Sequence, residues 1–503
     1  MSFPAKSSSE RKTIGVFASQ VGRAWGMEFL AGVNAAAEEQ NLNLVYFIGG
    51  KLTPAPTDDK NKLSFGLYDL AKPGQLDGLL LTADVAYGAS PQDLKTFSEF
   101  YGAIPIVTQS VKIDGASMFI PNNEEGMRAA VRHLIQDHGY KRIAFLRGIP
   151  GQIDAEQRFE GYQNELKAQN LRYDEDLVFD GDFTAESGRA AIRTLLDERR
   201  LRVQAIVAAN DSMAFGALEA LQQRGVRVPD DVAVTGFDDL REAQAIGVPL
   251  TTVRQSFYTA GKRALETLLK RIRGDSVPQV TLTPTQLLTR WSCGCLPENV
   301  RQAAVAPRDV AKTGRLENKR EAALRALLNS AGVTEQDTAL LPFRDAFGRA
   351  WDGFLLAMNG RSSNEEFLKT INAMIELMQK HELAPAVWHN VISMMRRYAL
   401  GGITSHTNML QAENLFQQAR LLAGELSQRS QAYRRLILEQ QEHLLHGFSF
   451  SMAPAMSMDE IGNAISTHFP AMGIERWYVM FYSDVKAPQS ISAPPPESYN
   501  LLL

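Results

Sequence analysis

The chain has 503 residues, enough for roughly two to four domains, each with its own core. Lys+Arg 53 against Asp+Glu 57 leaves a formal net charge of −4, which excludes a protein that holds a polyanion by bulk charge alone. No run reaches the ~18 apolar residues of a membrane span, and the polar start Met1–Lys12 lacks the apolar stretch of a secretory signal; a cytoplasmic protein without a membrane partner is expected.

From Lys12 onward short β-branched runs alternate with helical stretches. Thr13–Phe17, Leu42–Ile48, Gly78–Thr82 and Ile104–Thr108 read as strands, with a helix over Trp25–Gln40. Arg142–Leu146, Leu177–Phe179, Ala205–Ala209 and Val232–Thr235 continue the strands, interleaved with helices over Glu124–His138, Gln157–Gln169, Ser187–Arg199 and Ser212–Arg224. Such alternation predicts a mostly parallel, doubly wound α/β sheet, and two sheets fit in the first 292 residues. Residues 297–314 shift to Arg, Ala, Pro and Lys without strand signals and read as a linker.

Beyond the linker the pattern is helical: Arg315–Ser330, Leu340–Asn359, Asn364–His381 and Pro385–Leu400 make an all-α region over 315–407. A long signalling helix over 408–450 follows, in which Leu415, Leu422, Leu426, Tyr433, Ile437, Leu444 and Phe448 are spaced 7, 4, 7, 4, 7 and 4. An eleven-residue repeat drifts little around a helix, so the stripe suits either a nearly straight two-helix seam in a homodimer or packing on its own domain's core. Arg429 and Gln440 on the same side weaken the seam. The segment 456–503 holds an amphipathic helix, Met458–Phe469, and an alternating strand, Gly473–Tyr482. A helix with one or two strands cannot close a sheet domain, so a truncated α+β segment is expected there.

Several phrases in the first part, in this order and spacing, resemble the effector-binding core of the lactose-repressor/purine-repressor (LacI) family. They are Ile14-Gly-Val-Phe17, Pro121-Asn-Asn-Glu-Glu-Gly126, His138-Gly-Tyr-Lys-Arg-Ile-Ala144, Arg158-Phe-Glu-Gly-Tyr162, Gly181-Asp-Phe-Thr-Ala-Glu-Ser-Gly188, Ala209-Asn-Asp-Ser212, Thr235-Gly-Phe-Asp-Asp239, Thr251-Thr-Val-Arg-Gln255 and Arg290-Trp-Ser-Cys-Gly-Cys295. The resemblance implies two Rossmann-like lobes of the type I periplasmic-binding-protein kind over 12–296, joined by three crossovers and closing over a small ligand. The N-lobe would be Lys12–Asn122 plus Gln255–Ser276, and the C-lobe Asn123–Arg254 plus Val277–Trp291. The final segment resembles the opening of a GAF domain.

The resemblance also implies a set of ligand-binding residues. Arg158, early in a C-lobe helix where a cation is poorly placed for the helix dipole, would grip hydroxyls or a carboxylate with its planar fork. Asn210 lies at a strand's carboxyl end; it or Asp211 is alternatively the cap of the next helix, with capping favoured for Asp211. Asp238 follows a strand and suits two hydroxyl donors, or else forms a turn. Trp25 and Phe183 would sandwich a sugar or base between the lobes, or else belong to the core. Gln255, at a crossover, is a further polar candidate.

The two cysteines, Cys293 and Cys295, are too close for a long-loop staple and too few alone for a zinc site, and read as reduced thiols. No nucleophile–base pair and no cluster of His, Cys and carboxylates at ligand spacing is legible, so neither enzyme chemistry, a metal nor a cofactor is expected. Only a dozen polar residues precede the first strand, too few for the family's helix-turn-helix, so operator binding through that element is not expected of this segment. His381-Glu-Leu-Ala-Pro385 reads as a helix end. The expectation is the sensing part of a transcriptional regulator or signalling protein that binds a sugar or nucleoside and relays closure through the helical arm to an output domain. The alternatives are the sensor region of a diguanylate cyclase or histidine kinase, or a stand-alone solute-binding protein.

Overall fold

A computed structural model describes residues 11–52, 68–305, 316–333, 340–454, 457–474, 479–482 and 499–502, apart from 21, 23, 72, 103 and 382. The chain divides into two compact units, Met1–Glu298 and Asn299–Leu503.

The first unit is α/β and two-lobed. Its elements run β1 (Thr13–Ala18), α1 (Ala24–Glu39), β2 (Asn43–Ile48), β3 (Gly78–Leu81), α2 (Pro91–Tyr101), β4 (Ile106–Gln109) and β5 (Ser117–Pro121). They continue with α3 (Asn123–Gln136), β6 (Ile143–Arg147), α4 (Ile153–Ala168), β7 (Val178–Asp180), α5 (Ala185–Ile192), β8 (Ala205–Ala208), α6 (Asp211–Gln223), β9 (Ala233–Asp238), β10 (Thr251–Gln255), α7 (Phe257–Ile272), β11 (Val280–Thr283) and β12 (Thr285–Leu288). One six-stranded sheet has the order β11-β5-β4-β3-β1-β2 and the other β12-β10-β9-β8-β6-β7. Every pairing is parallel except the antiparallel β10–β12.

Both sheets are covered on two faces, which is why their strands read as unbroken apolar runs. In β1, Ile14 and Val16 enter a cluster with Phe29, Val33 and Leu268, while Phe17 on the opposite face packs with Tyr68, Leu79 and Phe97. In β6, Ala144 and Leu146 face one C-lobe cluster, and Ile143 and Phe145 face the other. Helices α1 and α7 cross at glycines: a Cβ on Gly32 would sit 2.0 Å from the Tyr258 carbonyl oxygen, and one on Gly261 2.1 Å from that of Phe29. Only glycine permits so close a backbone approach.

One boundary differs from the sequence reading. Val280–Thr283 pairs with β5 in the N-lobe sheet, and only Thr285–Leu288 joins the C-lobe sheet, so the third crossover falls at Pro284 and not before Val277. The physical reason is the edge position of β11, where Val280 and Leu282 stay exposed; nothing in an edge strand's pattern says which sheet it extends. Asn122, at the first crossover, fastens the third: its N–H donates to Thr283 O at 2.9 Å and its carbonyl accepts from Thr285 Oγ1 at 3.2 Å.

The second unit is helical, with α8 (Arg320–Ser330), α9 (Leu340–Met358), α10 (Asn364–Lys380), α11 (Pro385–Leu400) and α12 (His406–Met452). Trp351, Trp388, Phe347, Phe354, Phe367 and Phe416 form its core. His381 caps α10 and Pro385 opens α11, the break expected there. Helix α12 spans about 70 Å at ~1.5 Å per residue. Leu415 of its apolar stripe is buried in the bundle and Leu422 and Leu426 pack against that core, whereas Tyr433 is exposed. The first part of the stripe therefore serves the helix's own bundle. A capping box of Ser457 and Glu460 starts α13 (Met458–His468), and β13 (Val479–Tyr482) pairs antiparallel with β14 (Tyr499–Leu502). Of the linker 297–314, Glu298–Ala303 is helical and 306–314 lies outside the described residues, as do 475–478 and 483–498 of the final segment.

Candidate functional site

The carboxyl ends of the parallel strands of both lobes face one cavity of about 430 Å³, within the ~300–1,000 Å³ range of small-molecule sites. Trp25, Arg158, Phe183, Asn210, Asp238 and Gln255 all line it. The six candidates are thus brought together, although several do other work than the sequence suggested.

Arg158 lies one turn inside α4, which begins at Ile153 and not at Gln157. It is buried. Its Nε donates to Asn123 Oδ1 at 2.9 Å and its Nη1 to Ala209 O at 2.6 Å, while the guanidinium lies 3.9 Å from the centre of the Phe237 ring. It therefore carries structural bonds that the dipole argument did not foresee. Nη1 also stands 3.5 Å from Asp238 Oδ1.

Asp238 closes β9 with φ of +123°, followed by Asp239 at +58°. Left-handed backbone at consecutive non-glycine residues is strained, and it persists only where the surroundings enforce it. Gln255 Nε2 donates to Asp238 Oδ1 at 2.6 Å, so the polar candidate at the crossover is a direct partner of the carboxylate. Burial pushes the Asp238 carboxyl up to about 6, with Arg158 and Gln255 pulling the other way and Asp154 adding to the rise.

Asn210, not Asp211, is the cap of α6. Its Oδ1 accepts from Met213 N at 2.9 Å, and its Nδ2 donates to Phe183 O at 3.1 Å. Asp211 is fully buried, receiving Thr252 Oγ1 at 2.6 Å and Leu240 N at 2.8 Å, and burial beside Asp238 holds its carboxyl well above the ordinary range. It bolts the Asp238–Leu240 turn to α6. Phe183, also left-handed at +66°, lays its ring over Gly148, where a Cβ would stand 2.1 Å from Phe183 Cζ. Trp25 tilts against Phe257 at 6.1 Å between ring centres.

Further lining residues were not singled out from the sequence: Tyr87, Gln109, Ser110, Gln152 and Asp154 among them. Ser110, in the N-lobe, donates to Asp154 Oδ1 in the C-lobe at 3.1 Å. Burial and the nearby carboxylates of Asp154 and Asp84 raise the Tyr87 phenol. Gln109 Oε1 and both amide atoms of Gln152 are buried with no hydrogen-bonding partner among the described residues. Gln109 ends β4, where the strand-end rule points, whereas Gln152 stands before a helix that begins four residues ahead of the Gln157 expected from the sequence. A second grouping escaped as well: His133 and His138 join Cys293 and Cys295, so the two cysteines are not alone. The sequence separation of over 150 residues hid it.

Two parallel α/β lobes closing strand ends over a polar cavity define a two-lobed small-molecule receptor. Residues 131–293 match the family model of the periplasmic binding protein-like domain. The ribose operon repressor of Escherichia coli (strain K12) is 30% identical over 282 residues, covering 56% of this chain and 81% of that protein. The HTH-type transcriptional repressor PurR of Mannheimia succiniciproducens is 33% identical over 225 residues, covering 45% of this chain and 66% of that protein. A solved transcriptional regulator CelR–cellobiose complex aligns at 29% identity, over 56% of this chain and 85% of that one, with a TM-score of 0.47. The chain belongs to the LacI family of regulators. Its receptor unit is a binding domain and not a catalytic one, in keeping with relatives that are transcriptional repressors. No helix among the described residues is long and apolar enough to cross a membrane.

Proposed function

We propose that the cavity binds a neutral, polyhydroxylated effector, a sugar or nucleoside, and that the chain is the sensing part of a cytoplasmic transcriptional regulator or signalling protein. The observation that carries this is that Gln109 Oε1 and both amide atoms of Gln152, without a partner among the described residues, share a cavity with Arg158 and Asp238. An unsatisfied buried amide costs about 1–3 kcal/mol, so such atoms are expected where a ligand completes them. Donors and acceptors are mixed, which suits hydroxyls better than a single ionic group, and Trp25, Phe183 and Phe257 offer flat apolar faces to a pyranose or a base. A relative named for the ribose operon supports the same class. Closure would pass through the helical unit to an output, with a homodimer as the working form; a coupling of about 1–3 kcal/mol would change that output roughly five- to 150-fold.

Thermal shift of the full chain against ribose and other monosaccharides, cellobiose, nucleosides and purines tests the reading. One chemical class raises Tm with a concentration dependence that follows mass action. No shift from any of them at millimolar concentration refutes it.

A further inference from the structure

At the opposite end of the C-lobe from the cavity, four side chains meet. His133 sits in the last turn of α3, His138 two residues past that helix, and Cys293 and Cys295 flank Gly294 after β12. One ligand atom from each, a ring nitrogen of each histidine and the Sγ of each cysteine, lies within 4.8 Å of the others. His133 Nε2 is 3.2 Å from His138 Nε2, 3.4 Å from Cys293 Sγ and 3.6 Å from Cys295 Sγ; His138 Nε2 is 3.4 Å from Cys295 Sγ. A tetrahedral zinc ion, with bonds of about 2.3 Å to sulfur and about 2.0–2.1 Å to nitrogen, needs edges of about 3.4 Å between nitrogens and about 3.6 Å between nitrogen and sulfur. Four of the six edges agree with these within about 0.2 Å, and the other two, both from Cys293 Sγ, lie within 4.8 Å. We infer that His133, His138, Cys293 and Cys295 form a structural zinc site.

The surroundings favour a metal over a hydrogen-bonded cluster. His133 Nδ1 lies 2.5 Å from Asp137 Oδ2, the carboxylate–histidine arrangement that turns the Nε2 lone pair toward a metal. Thr251 Oγ1 stands 3.0 Å from Cys293 Sγ, placed to donate to a bound thiolate as an outer hydroxyl does, with the Arg290 carbonyl the other acceptor within its reach at 3.0 Å. The histidines are separated by four residues, a common spacing in structural zinc sites, whereas one residue between cysteines is tighter than usual. Gly294, at φ of +96°, makes that tight turn available. His133 and Cys293 are buried, His138 and Cys295 half-buried, and two nitrogens with two sulfurs select zinc among the divalent ions. On binding, each thiol releases its proton to solvent and the thiolate occupies one coordination position. Four protein ligands leave no open position for chemistry.

The ion would tie the last residues of the receptor to α3, just before the chain passes Glu298. β10 runs from Thr251 at this cluster to Gln255 at the cavity, a rise of about 13 Å, so the site is separate from the effector cavity and its failure leaves the ligand reading standing.

The test uses the untagged full chain. Elemental analysis after gel filtration is expected to give one zinc per chain. Replacement by Co²⁺ alone is expected to give the visible bands of tetrahedral cobalt and a thiolate charge-transfer band. Cys295→Ser and His138→Ala, both at half-exposed positions, should each weaken zinc retention at least tenfold, and EDTA should lower the Tm of the parent chain but not of either variant. A chain isolated without zinc from zinc-supplied cells and unable to take it up refutes the site. So does an octahedral cobalt spectrum, or one unchanged in both variants. A Cys293–Cys295 disulfide formed by the freshly purified chain in place of metal uptake also overturns it.

Discussion

Replacing Gln152 by Met separates a ligand-facing amide from a structural one by sign. Gln152 holds the N-cap position of α4 but its side chain makes no capping bond, and neither of its amide atoms has a partner among the described residues. Met keeps the length and removes both polar atoms. Relief of the buried, unsatisfied amide should stabilise the ligand-free receptor by about 1–3 kcal/mol, a rise of a few degrees in Tm for a unit of this size. The same change deletes two neutral hydrogen bonds to the effector, about 0.5–1.5 kcal/mol each, and so raises Kd roughly five- to 150-fold. Calorimetric unfolding of the ligand-free chain and titration calorimetry with the effector found by thermal shift read the two effects separately. A lower apo Tm with Kd within twofold of the parent would refute the argument, because it would mean that the amide is bonded within the protein.

Three further outcomes follow from the same geometry. Since burial lifts Asp238 to about 6 and hydroxyl donors favour its ionised form, affinity should be full above pH 7 and fall about tenfold per unit below pH 6, as measured by titration calorimetry from pH 5 to 8; Asp238→Asn should flatten the profile. Gly148→Ala should drive the Phe183 ring off its seat, costing about 1–3 kcal/mol through overpacking and weakening binding at least several-fold by fluorescence or calorimetric titration. Asn210→Ala should lower apo stability by about 1–2 kcal/mol in denaturant unfolding, because the α6 cap goes with the amide.

The α/β alternation was legible because parallel strands buried on both faces are nearly all apolar, and β1, β6 and β8 are of that kind. The cavity was legible at strand ends, where Asn210 and Asp238 stand out as polar groups after apolar runs. Their division of labour was not. Whether Asn210 or Asp211 caps α6 depends on where the helix begins, and a one-residue shift decides it. Arg158 reads as a lone cation in sequence, whereas in space Asn123, Ala209 and Phe237 claim most of its fork. The Cys–His grouping needs α3 beside the segment after β12, a contact that only the tertiary fold creates.

The distribution of recognition groups between the lobes decides whether binding can do work. Across the cleft the protein's own bonds include Ser110 to Asp154 and an exposed ion pair between Arg241 and Glu28 at 3.8 Å. The first contributes about 1.5–3 kcal/mol and the second about 0–1 kcal/mol, too little to fix the closed form against a ligand-driven change. Moving a lobe equilibrium from 1:99 to 99:1 takes about 5.5 kcal/mol of differential affinity, and a ligand touching one lobe supplies none. Trp25 and Gln109 belong to the N-lobe, Arg158, Gln152, Phe183 and Asp238 to the C-lobe. Trp25→Ala combined with Gln109→Ala should therefore abolish ligand-induced compaction in solution scattering while the C-lobe groups still give measurable binding at millimolar effector. Weakened binding with compaction unchanged at saturation would mean that closure does not depend on contacts to the N-lobe, and the relay would have to be sought elsewhere.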